Sequence, residues 1–279
     1  MQEWLQKIDA KLADLLDDTP VAAAARYSLF SGGKRLRPLF TLSTAHSLKA
    51  PLEKALIPAC AIELIHTYSM IHDDLPAMDN DDLRRGKPTL HKVHSEAKAI
   101  LAGDYLLTIA FETLASSDLD LSTKLELIKL IANRSASKGM IGGQWQDIES
   151  EKKRLSLEET EKLHHMKTGA LIEASILAGA YVAQAPADIL EKLSRFALKI
   201  GLAFQVIDDV LDHTHPHEKH GVKSDLEKGK STYVSLMGVE EAKRHAEKLY
   251  SEACDLLPNE KFNFDLLKDL ARMSVFRSK

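Results

Sequence analysis

Apolar residues recur at spacings of three and four along nearly the whole chain, and no stretch sustains the alternation of a half-buried strand. That pattern confines the chain to helices packed on helices, an all-α fold. In the first segment Leu5, Ile8, Leu12, Leu15 and Leu16 trace one face. The same rhythm predicts helices over roughly 19–30, 36–48, 52–75, 95–114, 122–140, 157–182, 187–211 and 231–256. Turn formers are sparse, with 13 glycines and 9 prolines in 279 residues, so long helices are expected. The breaks are local: Ser31-Gly32-Gly33, Pro51, a loop from Pro76 to Pro88, and a polar loop from Asp212 to Lys230. None has the composition of a linker, and residues 1–279 read as a single domain around one deep core.

Charge and cysteine usage remove several classes of function. Lys and Arg total 37 against 41 acids, a net charge of −4, which offers no basic surface to nucleic acid. Cys60 and Cys254 stand alone, without the spacing of a disulfide framework or a zinc site, so reduced thiols and a cytoplasmic setting are expected. No run approaches the ~18 apolar residues of a membrane span. The opening MQEWLQKIDAKLADLLDD lacks the apolar core of a signal peptide.

Two aspartate clusters carry the chemistry. In FQVIDDVLD, residues 204–212, Gln205, Asp208 and Asp212 fall in one helical stripe with Asp209 at its edge. Acids flanked by Phe204, Val206, Ile207, Val210 and Leu211 repel one another and lose hydration unless a cation joins them. The first cluster, IHDDLPAMDNDDLRRGKPT, places Asp73 and Asp74 at a helix end and Asp79 on the loop that Pro76 forces. Arg84 and Arg85 follow at once, mixing metal ligands with phosphate ligands. The competing reading is a charged surface loop whose acids pair with its own arginines. Mg²⁺ prefers oxygen and is commonly held by one or two carboxylates plus substrate phosphates. Two clusters facing each other across a helical bundle would hold it twice and turn a diphosphate into a leaving group.

Basic groups elsewhere suit such a substrate. SGGKRLRP, residues 31–38, sets a Gly-Gly turn before a helix start, where Lys34, Arg35 and Arg37 add charge to an anion-favouring terminus. His66 lies two helical turns before Asp73, roughly 10 Å away. HMKTGAL puts Lys167 and Thr168 at a helix beginning or kink beside Gly169.

GGKRLRP, IHTYSMIHDDLPAMDNDDLRRGKPT, LAGD, GMIGGQWQD, KTGAL, FQVIDDVLD and GKSTY, in this order, together resemble the trans-isoprenyl diphosphate synthases. The likeness is greatest to the bacterial farnesyl diphosphate synthases and their geranylgeranyl relatives. The resemblance implies an isoprenoid-synthase helical bundle around a deep cavity, usually homodimeric. It implies that Asp73, Asp74, Asp79, Asp208 and Asp212 hold about three Mg²⁺. It further implies that Arg84, Lys167, Thr168, Gln205 and Lys230 contact the allylic diphosphate, and that Lys34, Arg37, His66 and Arg85 bind isopentenyl diphosphate. Tyr68, five residues before Asp73 and next to the small Ser69, stands where bacterial members carry the aromatic that goes with a C15 product; the alternative is that Tyr68 is a core aromatic.

Two departures accompany the likeness. Where relatives carry Leu-Gly-Lys after the second motif, this chain has a shorter HEKHGVKSD stretch, with Lys223 a candidate replacement. Asn80 stands where some relatives have Asp. Rival readings are a geranylgeranyl synthase and a non-catalytic partner subunit, though the latter usually loses aspartates that this chain keeps. GKST at 229–232 lacks the strand and first glycine of a P-loop. His213, His215, His217 and His220 read as a solvated loop rather than a transition-metal site.

Overall fold

The computed structural model describes residues 1–151, 153–214, 231–257 and 260–277. Its helices are α1 (Gln2–Leu15), α2 (Pro20–Leu29), α3 (Leu36–Ser47), α4 (Leu52–Asp73), α5 (Leu90–Val93), α6 (Glu96–Ser116) and α7 (Leu121–Ser135). Then come α8 (Met140–Ser150), α9 (Leu157–His164), α10 (Ala170–Val182), α11 (Ala187–Thr214), α12 (Tyr233–Met237), α13 (Val239–Asp255) and α14 (Asp265–Val275). Polar caps set several starts: the Thr19 hydroxyl accepts from Ala22 N–H ahead of Pro20, and Ser156 with Glu159 forms a reciprocal capping box.

Three expected helices are interrupted, each for a local reason. The 122–140 segment ends at Ser135, and a new helix, unforeseen as a separate element, starts beyond Gly139. A Cβ at Gly139 would lie 1.9 Å from the Arg134 carbonyl, so this reversal requires glycine. The 157–182 segment carries a π-helical turn, His165–Gly169, between α9 and α10. The 231–256 segment breaks at Gly238, whose φ is +82°. Within the loop after α4, β1 (Leu83–Arg84) pairs antiparallel with β2 (Lys87–Pro88) around Arg85 and Gly86, both at positive φ.

α10 is the central rod. Eleven of its apolar or small side chains belong to the buried set, and it packs on α3, α4, α7 and α11. Gly179 lets it approach α3, since a Cβ there would meet the Thr41 carbonyl at 2.3 Å. Gly201 on α11 lies against Gly169 of the π turn, where a Cβ would stand 2.9 Å from the Gly169 Cα. These contacts bring the second aspartate helix against the turn that carries Lys167 and Thr168. α6 packs along α4; by length and composition alone it reaches the range of a membrane-crossing helix, which amends the expectation drawn from unbroken apolar runs.

Arg35 departs from its expected place among the anion ligands. Its backbone is left-handed, with φ +51°, and its guanidinium is buried. It donates to Asp9 at 2.8 Å, Glu63 at 3.1 Å and the Leu29 carbonyl at 2.8 Å, tying α1, α2 and α4 together at the start of α3. Arg35→Met leaves the buried Glu63 carboxylate without its partner and should destabilise the fold by about 3–5 kcal/mol. Denaturant unfolding checks this, with a loss under about 1 kcal/mol contradicting it.

Candidate active site

A cavity of about 650 Å³ opens between α4, α6, α8 and the π turn. It gathers Arg37, His66, Tyr68, Ser69, Asp73, Arg84, Lys167 and Thr168 from the expected set onto one surface. The first motif reaches it because the loop after α4 folds back, with Asp79 N–H donating to the Asp73 carbonyl at 2.9 Å. Leu75-Pro76 ends the helix and Asn80 takes φ +53°, which makes the reversal possible.

The charges are arranged in opposition. Burial pushes the Asp73 carboxyl up to about 6; Asp79 and Asp74 act in the same direction against Lys167 and Arg84. Asp74 lies against Arg84, which reaches it through Nε at 2.7 Å and a terminal nitrogen at 2.6 Å. The loop's acids do therefore pair with its own cations, Lys92 holding Asp82 at 2.7 Å as well. Asp73 nonetheless faces the cavity. Arg37 has a buried Nε without a protein partner, and burial, with Arg85 acting alongside it, lowers its pKa to about 10. His66 is held well below its ordinary pKa by burial and by Arg37, Arg85, Arg84 and Arg35. Arg85 donates to the Gly32 carbonyl, and a Cβ at Gly33 would stand 2.6 Å from its guanidinium, so the Gly-Gly turn wraps this side chain. Lys34 is exposed beside that turn.

The second motif meets the π turn from the other side. The Thr168 hydroxyl donates to Gln205 Oε1 at 3.0 Å. Asp212 is buried, whereas Asp208 is half-exposed and accepts from Arg277 at 2.7 Å; that guanidinium also lies 3.9 Å from the Phe204 ring centroid. Lys230, Lys223, His215, His217 and His220 fall outside the described residues. Among the described residues no three metal-capable side chains converge on one point.

The polyprenyl synthetase family model matches residues 18–261. The chain belongs to that family. The farnesyl diphosphate synthase of Geobacillus stearothermophilus is 50% identical over 225 residues, 79% of this chain and 76% of that protein. Among solved structures, an FPP/GFPP synthase from Zymomonas mobilis superposes with a TM-score of 0.88 at 39% identity, covering 98% of this chain and 96% of that one. A geranyltransferase from Helicobacter pylori, complexed with magnesium and isoprenyl diphosphate, gives 0.85 at 34% identity, covering 98% and 95%. This polyprenyl synthetase is accordingly an all-α prenyltransferase acting on isoprenoid diphosphates.

Polyprenyl synthetases use Mg²⁺, and the donor set of this one suits it. Every candidate ligand is a carboxylate, and burial, with Asp79 and Asp74 acting alongside it, raises the affinity of Asp73 for a proton. Tyr68, which also lines the cavity, is 5% exposed and packs edge-on to His72, with ring centroids 5.7 Å apart. His72 approaches the Ile100 carbonyl at 3.0 Å, and a Cβ at Gly103 would stand 2.1 Å from its Nε2, so LAGD supplies the gap that this imidazole fills.

Sequence reasoning passed over Asp147 and Gln144 on α8. Asp147 is buried and binds Lys167 at 2.7 Å, and Gln144 lines the cavity. The available signal was the Gly-Gly-Gln-x-Gln-Asp run: a Cβ at Gly143 would meet Lys167 N at 2.4 Å, so this glycine permits α8 to touch the π turn. His66 should remain neutral across about pH 6 to 8, since burial and four nearby arginines both disfavour its charged form; inorganic pyrophosphate should raise its pKa. NMR titration of its ring proton checks both, and a free-protein midpoint near 6.5 would contradict the neutral assignment.

Proposed function

We propose that the chain is a farnesyl diphosphate synthase, a single domain over 1–279. It condenses isopentenyl diphosphate with dimethylallyl or geranyl diphosphate. One observation carries the reading: the cavity that gathers Asp73, Arg84 and Lys167 is also lined by the aromatic Tyr68, five residues before Asp73 on the same helix and 5% exposed.

Asp73, Asp74 and Asp79 from one side and Asp208 and Asp212 from the other are the proposed ligands of about three Mg²⁺. Magnesium, when bound, neutralises the allylic diphosphate and makes it a leaving group. Arg84, Lys167, Thr168, Gln205 and Lys230 orient that diphosphate, Arg84 and Lys167 adding positive charge where negative charge grows on C–O cleavage. Arg37, Arg85 and Lys34 hold isopentenyl diphosphate, with neutral His66 as a hydrogen-bonding partner. The C3–C4 double bond of isopentenyl diphosphate then attacks the allylic cation. The resulting tertiary cation loses a proton to the released diphosphate, and the apolar walls keep water away meanwhile.

A cytoplasmic homodimer fits the two isolated cysteines and the exposed apolar side chains of α6 to α8, Leu101, Leu121, Leu125, Ile141 and Trp145 among them. The C15 assignment is tested with Mg²⁺, isopentenyl diphosphate and geranyl diphosphate, sizing the dephosphorylated products by mass spectrometry. A C15 alcohol is expected from the wild type and longer alcohols from Tyr68→Ala. A C20 wild-type product would favour the geranylgeranyl reading; an unchanged Tyr68→Ala product would remove Tyr68 as the stop. Absence of elongation by folded protein would favour a partner subunit.

A further inference from the structure

Asp209, the middle acid of FQVIDDVLD, lies outside the proposed metal set. It is 2% exposed, its Oδ2 accepts from Tyr233 N–H at 2.8 Å, and its Oδ1 faces the Gln205 amide nitrogen at 3.4 Å. Gln205 in turn accepts the Thr168 hydroxyl at 3.0 Å. We infer that Asp209 is a positioning residue: through Gln205 it sets the direction in which the Thr168 hydroxyl presents its proton. The inference rests on the prenyl-transfer reading of the cavity.

The argument follows from donor and acceptor capacity. An ionised carboxylate only accepts, so Gln205 must turn its NH₂ toward Asp209 and its carbonyl toward Thr168. A hydroxyl has one proton, and that of Thr168 is committed to Gln205. The oxygen lone pairs are then what Thr168 shows to the cavity, beside Lys167. Such an oxygen meets a diphosphate only through a donor between them, an ordered water or an ammonium group. Tyr233 N–H fixes the other carboxylate oxygen and so anchors the relay at the start of α12.

Asp209→Asn inverts the relay with little change in shape. Its carbonyl keeps Tyr233 N–H, its NH₂ faces Gln205, the Gln205 amide reverses, and the Thr168 proton turns into the cavity, where it donates to a diphosphate oxygen directly. The effect is a fall of about five- to tenfold in KM for geranyl diphosphate. KM for isopentenyl diphosphate changes little. The decisive measurement is a double-mutant cycle with Thr168→Val, which has no hydroxyl to orient. On that background Asp209→Asn should add nothing to KM for geranyl diphosphate, although both proteins show the same shift in Tm. A structural role alone would multiply KM by the same factor on either background, and that result overturns the relay. Should Asp209→Asn fail to fold, Asp209→Ser removes the acceptor that faces Gln205 and leaves Gln205 in place, and its cycle with Thr168→Val is read in the same way. The wild type is assayed first: if it neither elongates nor binds geranyl diphosphate, the underlying reading falls, whereas an active wild type with independent effects overturns the relay alone.

Discussion

Like charges held in a cavity that dehydrates them are the constraint on which the rest of this molecule depends. Burial disfavours the charged form of Asp73, Arg37, Arg85 and His66 alike, and each responds in the expected direction. The protein limits the cost by interleaving signs: Arg84 lies against Asp74, Lys167 against Asp147, and Arg277 against Asp208. These pairs keep both kinds of charge close to the cavity without fully cancelling either. A dication and a diphosphate bring the same two signs, so their arrival exchanges ion pairs rather than creating isolated buried charge.

Holding that arrangement requires helices to approach more closely than ordinary side chains allow. Gly179 sets α10 against α3, Gly201 sets α11 against Gly169, and Gly143 sets α8 against Lys167. The last two flank the π turn, whose Lys167 and Thr168 line the cavity with α4, α6 and α8. Arg35 serves a different end, closing the opposite side of α4 through Asp9 and Glu63, so adjacent basic residues of one motif divide between scaffold and site.

Much of this was legible in the chain. The helical period located most of the helices, and the residue types of the two aspartate motifs, with LRRGKPT and KTGAL, pointed to a metal-assisted diphosphate reaction whose family the comparisons bear out. Eight of the expected site residues share one cavity wall. Less legible were the interruptions, because the turn at Gly139 and the π turn depend on contacts with Arg134, α8 and α11 rather than on local apolar spacing. Asp147 escaped because a single acid on an otherwise unremarkable helix acquires meaning only from the lysine it meets, twenty residues away in sequence.

The sequence by itself determined the all-α class, the chemistry of the cavity and the identity of its charged groups, because periodicity and residue type are local properties. Tertiary structure alone decided which charges face the cavity and which face each other. Arg35 and Arg37 stand two residues apart, yet one is locked to Glu63 and the other lines the cavity. Asp208 and Asp209 are neighbours, yet one reaches Arg277 and the other the backbone of Tyr233. For the aspartates the physical reason is the helical turn of about 100° between successive residues, which sends adjacent side chains to different neighbours; for Arg35 it is the left-handed backbone just before α3. What those neighbours are depends on packing between segments far apart in the chain.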